Sequence, residues 1–151
     1  KCVIIYQGGI LMTINVIYWS GTGNTEAMAK AVVEGIESAG KEAKLIFVDD
    51  ATIEDVTGAE AVAFGCSAMG DEELEEDSFR PFMDEANKVI SGKKVAIFGS
   101  YEWNEGQWMD YWTEEINQTG CKLVVPGLIA YDFPDDEALE KCRELGRALA
   151  K

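Results

Sequence analysis

Ile14-Asn15-Val16-Ile17-Tyr18-Trp19-Ser20-Gly21-Thr22-Gly23-Asn24-Thr25 is a short apolar run that breaks off into a polar, glycine-containing loop. The apolar run Ile14–Trp19 reads as a buried strand. Beyond the loop, Met28, Val32, Ile36 and Ala39 recur at helical spacing, predicting a helix over Thr25–Ala39 that Gly40 stops. Two glycines let the loop backbone curl, and three hydroxyl residues, Ser20, Thr22 and Thr25, can aim at one point. Its amides face a helix N-terminus, where the helix dipole favours an anion. The loop holds no Lys or Arg, and neither GxxxxGK nor GxGxxG is present. Amides and hydroxyls alone suit one terminal phosphate rather than a magnesium-bound triphosphate. The plainer alternative is a glycine-rich turn with a good helix cap. The position directly after the first strand favours the anion seat.

The rest of the chain repeats the alternation of strand and helix. Ala43–Val48, Ala61–Cys66 and Lys94–Phe98 read as strands, and Lys122–Ala130 as a fifth strand interrupted at Pro126-Gly127. Phe79, Phe82, Met83, Ala86 and Val89/Ile90 mark a second helix, with Pro81 near its start and Gly92 after it. Trp108, Met109, Trp112 and Ile116 mark a third, ended by Gly120. Pro134 and Asp135 open a last helix with Leu139, Cys142, Leu145 and Leu149 on one face. Alternating helices and continuously apolar strands predict an α/β fold: a doubly wound, five-stranded parallel sheet with helices on both faces. Ligands of such sheets sit at the carboxyl ends of the strands, where the strand order reverses. The loops after strands one, three and four are therefore the ones that matter.

Bulk composition narrows the function classes. The chain has 151 residues, enough for one domain, with a formal net charge of −15. That charge argues against nucleic acid and anionic membrane as partners and for a basic protein partner, although acidity can also serve solubility alone. Histidine is absent, which removes Ser-His-Asp and Cys-His catalysis. The cysteines Cys2, Cys66, Cys121 and Cys142 form no CxxC pair, which argues for a reducing cytoplasm and against structural zinc or any metal site.

Residues 1–12 read as foreign to the domain. Lys1–Leu11 is apolar but too short to span a bilayer, and it lacks the features of a secretion signal. Gln7-Gly8-Gly9 can be encoded by a purine-rich ribosome-binding sequence, with Ile10 and Leu11 as the spacer before Met12. The segment is then a translated leader; a genuine N-terminal extension or a cloning remnant is the alternative. Residues 13–151 remain as one domain.

Tyr18-Trp19-Ser20-Gly21-Thr22-Gly23-Asn24-Thr25-Glu26 resembles the phosphate loop of the flavodoxins, in the form of the short-chain, clostridial type, and the resemblance extends from Thr13 to Ala150. It implies strand order 2-1-3-4-5 with non-covalently bound FMN at the switch point, the arrangement for which flavodoxin is a standard example. Trp19, Ser20, Gly21, Thr22, Gly23, Asn24 and Thr25 would surround the phosphate. After strand three, the resemblance lays Met69 against one ring face, beside Ala68, with Ser67 near the phosphate or ribityl chain. Gly70-Asp71 would be the peptide that flips on reduction, and Glu72 would accept a hydrogen bond from the flavin N3. After strand four, Trp103 would stack on the outer ring face within Ser100, Tyr101, Glu102, Asn104 and Gly106. Close relatives often carry glycines where this chain has Glu102 and Asn104. A left-handed turn would cost Glu102 more than Asn104, and Glu102→Gly is expected to raise the second reduction potential.

The implied function is a low-potential one-electron carrier, cycling between semiquinone and hydroquinone, with no catalytic residues of its own. An acidic rim including Asp71, Glu72, Glu73, Glu75, Glu76, Asp77, Glu102 and Glu105 would steer a monomer to basic reductases and acceptors. A small FMN-dependent NAD(P)H quinone or nitro reductase is the alternative, and a flavin-free interaction domain a further one that predicts colourless protein. A phosphoacceptor module is rejected, because Trp19-Ser20 and Cys66 stand where it needs acidic residues.

Overall fold

The computed structural model describes residues 13–69, 73–102 and 104–151. The leader reading of residues 1–12 and the expectations for Gly70, Asp71, Glu72 and Trp103 lie outside the described residues. Parallel strands β1 (Thr13–Trp19), β2 (Glu42–Phe47), β3 (Ala61–Cys66) and β4 (Lys94–Tyr101) alternate with helices α1 (Asn24–Ser38), α2 (Glu54–Thr57) and α3 (Phe79–Ala86). Helix α4 (Gln107–Asn117), short strands β5 (Lys122–Leu123) and β6 (Leu128–Tyr131), and α5 (Asp136–Leu149) complete the fold. The sheet order is β2-β1-β3-β4-β5, as the resemblance implies, and β6 also pairs to β4.

Strand periodicity assigns the two faces. Ile14, Val16 and Tyr18 of β1, Ala61 and Ala63 of β3, and Ala96 and Phe98 of β4 pack with α1 and α5. Ile17, Val62, Phe64, Val95 and Ile97 point the other way, onto Phe79, Met83, Trp108, Trp112 and Ile116 of α3 and α4. The central strands are buried on both faces, which is why they read as unbroken apolar runs. Edge strand β2 is half exposed and carries Glu42 and Lys44.

Several details differ from the sequence reading, beginning with the short helix α2, which it did not contain. Strand β4 continues past Phe98 to Tyr101, so Ser100 and Tyr101 are strand residues, paired with Ala130 and Tyr131, rather than loop. The fifth strand is split: Val95 pairs with Leu123 but Phe98 with Leu128, so three steps along β4 face five along its neighbour. The surplus loops out at Pro126, which cannot donate to the ladder, and Gly127, whose backbone packs so closely on α4 that a Cβ would lie 2.5 Å from Met109 Sδ. Helix α3 ends at Ala86; Val89 follows in a turn and Ile90 just beyond it, outside any helix.

Candidate functional site

A cavity of about 420 Å³ opens at the carboxyl ends of β1, β3 and β4, a volume typical of cofactor sites. Trp19, Gly21, Thr22 and Asn24 line it from the first loop, Ser67, Ala68 and Met69 from the second, and Ser100, Tyr101 and Glu102 from the third. All ten were singled out from the sequence.

The three hydroxyls of the first loop do not converge. Ser20 Oγ turns back to accept the Gly23 N–H at 3.1 Å, and Thr22 stays exposed. Thr25 points inward: its Oγ1 lies 2.7 Å from Ser67 Oγ and 3.0 Å from Ser100 Oγ, and accepts the Ser100 N–H at 3.2 Å. The start of α1, the segment after β3 and the end of β4 are thus fastened together beside the cavity by one hydroxyl cluster. A second tie runs from the Ala68 N–H to the Ser100 carbonyl at 3.0 Å.

Gly23 lies in the left-handed region (φ 97°) and caps α1 without any side-chain hydrogen bond, leaving the first-turn amides free for a ligand. The Trp19 indole folds over Gly21, where a Cβ would come within 2.9 Å of the ring. Uncapped amides, hydroxyls and the absence of cations fit the phosphate end of FMN, and the slot beside Met69 and Tyr101 supplies thioether and aromatic surface for a flat ring.

Met69 and Glu73 exchange backbone hydrogen bonds at 2.9 and 3.0 Å. Glu75, counted from the sequence among the rim acids, is instead buried at 8% exposure. Its carboxylate accepts the N–H groups of Asp77, Ser78 and Phe79 at 2.8–2.9 Å and so caps α3. Burial raises the Glu75 carboxyl, but the three amides outweigh it and hold it below its ordinary value. Glu73, Glu76, Asp77, Glu102 and Glu105 are exposed.

The left-handed strain expected at Glu102 falls elsewhere. Glu105 adopts φ 56°, followed by Gly106 at φ 83°, which starts α4. Asn104 opens this turn, and Gly106 is buried against Ile129 rather than lining the cavity. One contributor escaped the sequence reading: Asp132, also left-handed at φ 57°, accepts from Asn24 Nδ2 at 3.5 Å and donates its N–H to the Tyr101 carbonyl at 2.8 Å. Glu105 and Asp132, the positive-φ residues that are not glycine among the described residues, leave no periodic signature that could have marked them.

Comparison with known proteins agrees with this geometry. The flavodoxin family model matches residues 16–146. The chain is 47% identical to the flavodoxin of Clostridium beijerinckii over 91% of its own length and 99% of the relative's. It is 40% identical to that of Megasphaera elsdenii, over 91% and 98%. Among solved structures, two-electron reduced Megasphaera elsdenii flavodoxin superposes with a TM-score of 0.81 at 38% identity, covering 91% of this chain and 98% of that one. A flavodoxin from the domain Archaea does so at 0.82 and 33%, covering 92% and 96%. The chain therefore belongs to the flavodoxin family: it is a small FMN-binding carrier that passes electrons between redox partner proteins.

Proposed function

We propose that residues 13–151 form one low-potential, one-electron carrier that works as a cytoplasmic monomer and exchanges electrons with basic reductases and acceptors. The observation that carries this reading is the cation-free cradle of amides and hydroxyls that opens into the slot between Trp19, Met69 and Tyr101. Bound FMN supplies the redox chemistry. The first-turn amides of α1, with Ser20 and Thr22, hold its phosphate, and Thr25 fixes the three loops around it. On the family resemblance Met69 and Trp103 would hold the ring, Gly70-Asp71 would be the responsive peptide, and Glu72 would accept the ring N3–H. Glu102 and its acidic neighbours oppose added negative charge, which lowers the potential of the second electron. Among the described residues no helix is long and apolar enough to cross a membrane.

Anaerobic reductive titration of the FMN-loaded protein, followed by visible spectra and potentiometry, tests the reading. Two well-separated one-electron steps are expected. A single two-electron step, or oxidation of NADPH without a partner protein, would overturn it.

A further inference from the structure

Tyr131 and Phe133 are 66% and 64% exposed, unusual for large aromatics on a chain of net charge −15. They stand where β6 leaves the sheet. Tyr131 is the register partner of Tyr101, and the two rings meet edge to face at 5.5 Å and 71°. Tyr101 also lines the cofactor cavity, so Tyr131 packs on a residue of its wall, with Phe133 two positions further along the chain.

The segment is held firmly. Asp132 is tied to Tyr101 and Asn24, Pro134 is buried, and Asp135 Oδ1 accepts the Ala138 N–H at 2.8 Å to cap α5. Aromatic side chains on a pre-ordered backbone lose little conformational freedom on docking, which is what makes such residues binding hot spots. Exposed Asp132, Asp135, Asp136 and Glu137 adjoin them along the chain, and no Lys or Arg occurs between Lys122 and Lys141.

We infer that Tyr131 and Phe133 are the aromatic anchors of the docking surface for a redox partner whose contact face presents arginine or lysine. Guanidinium and ammonium groups stack on aromatic faces while the ring of carboxylates pairs their charge. A second copy of this chain would bring like charges together. The inference rests on the carrier reading. It adds which side chains the partner seizes.

The test uses cytochrome c as a basic probe protein. Binding is measured by isothermal titration with the redox-inert zinc form. Electron transfer is measured with the ferric form, in which the reduced flavin loses one electron and haem iron goes from ferric to ferrous. The double variant Tyr131→Ser/Phe133→Ser is expected to bind roughly tenfold more weakly and to reduce the haem correspondingly more slowly. Its reduction of ferricyanide, a small acceptor needing no docking, should be unchanged, and Tyr131→Phe should retain binding. Equal binding by wild type and double variant overturns the inference. So does a wild-type dimer in sedimentation that the double substitution dissociates, because that assigns the patch to self-association. A wild type that cannot reduce even ferricyanide overturns the carrier reading, whereas the zinc-form titration decides the patch separately.

Discussion

The Thr25 hydroxyl, at the start of α1, lies 2.7 Å from the Ser67 hydroxyl and accepts the Ser100 N–H, although the three residues are 42 and 75 positions apart along the chain. Thr25 is fully buried, so Thr25→Val keeps the shape while leaving a buried N–H without a partner. We expect a loss of about 1–3 kcal/mol in the urea unfolding of the FMN-free protein, together with weaker FMN binding. An unchanged midpoint would mean that the cluster does not hold the loops.

Glu75→Gln should destabilise the protein by about 0.5–2 kcal/mol, the range for loss of a helix cap. The folded-state value of Glu75 is lowered, so its contribution is fully present above the ordinary glutamate value. It is lost as the pH falls through the lower folded value. The wild type should therefore lose more stability than the variant on acidification, which thermal melts across the acid limb would reveal. Parallel curves would remove Glu75 from the account.

Glu105 occupies a left-handed conformation that costs a side chain roughly 1–2 kcal/mol. Glycine avoids that cost but is freer in the unfolded chain. Glu105→Gly should be stabilising by about 0.5–1 kcal/mol, seen as a higher melting temperature. Glu102→Gly, where the backbone is not left-handed, should give no such gain.

The charge of Glu102 should show in the redox behaviour instead. It is exposed on the cavity lining. Glu102→Gln is expected to raise the second reduction potential, by an amount equivalent to ~1 kcal/mol or less for a charge facing water. Potentiometric titration reads it directly, and a lowered potential would reverse the assignment.

Helices α1 and α5 cross almost backbone to backbone. A Cβ at Gly146 would lie 2.2 Å from the Val32 carbonyl oxygen, and one at Gly35 would lie 2.0 Å from that of Arg143. Neither neighbour is a movable side chain. Gly146→Ala should cost at least the ~1–3 kcal/mol of overpacking despite the better helix propensity of alanine, as circular dichroism melts would show.

Much of this protein was legible before folding. The alternation of apolar runs with amphipathic stretches identified the parallel sheet, because strands covered on both faces must be apolar throughout. Ser20–Thr25 marked the loop that lines the cavity from β1, because glycine and hydroxyl residues between a strand and a helix have a chemical use there. The rest of the lining was named through the family resemblance. Less legible were the ends of elements: Ser100 and Tyr101 look like loop, yet they extend β4 because Ala130 and Tyr131 arrive to pair with them.

Local order along the chain, then, determined the strand-helix alternation, the cation-free glycine and hydroxyl loop and the acidic character, since each depends on residues adjacent in sequence. Tertiary structure alone decided that Thr25 turns away from Ser20 toward Ser67 and Ser100, that Glu75 goes inward to cap α3, that Glu105 and Asp132 take the left-handed turns, and that Tyr131 packs on Tyr101 of the cavity wall while Phe133 stays exposed. Each of these depends on which distant backbone groups come within hydrogen-bond reach once the sheet has closed, and no local pattern encodes that distance.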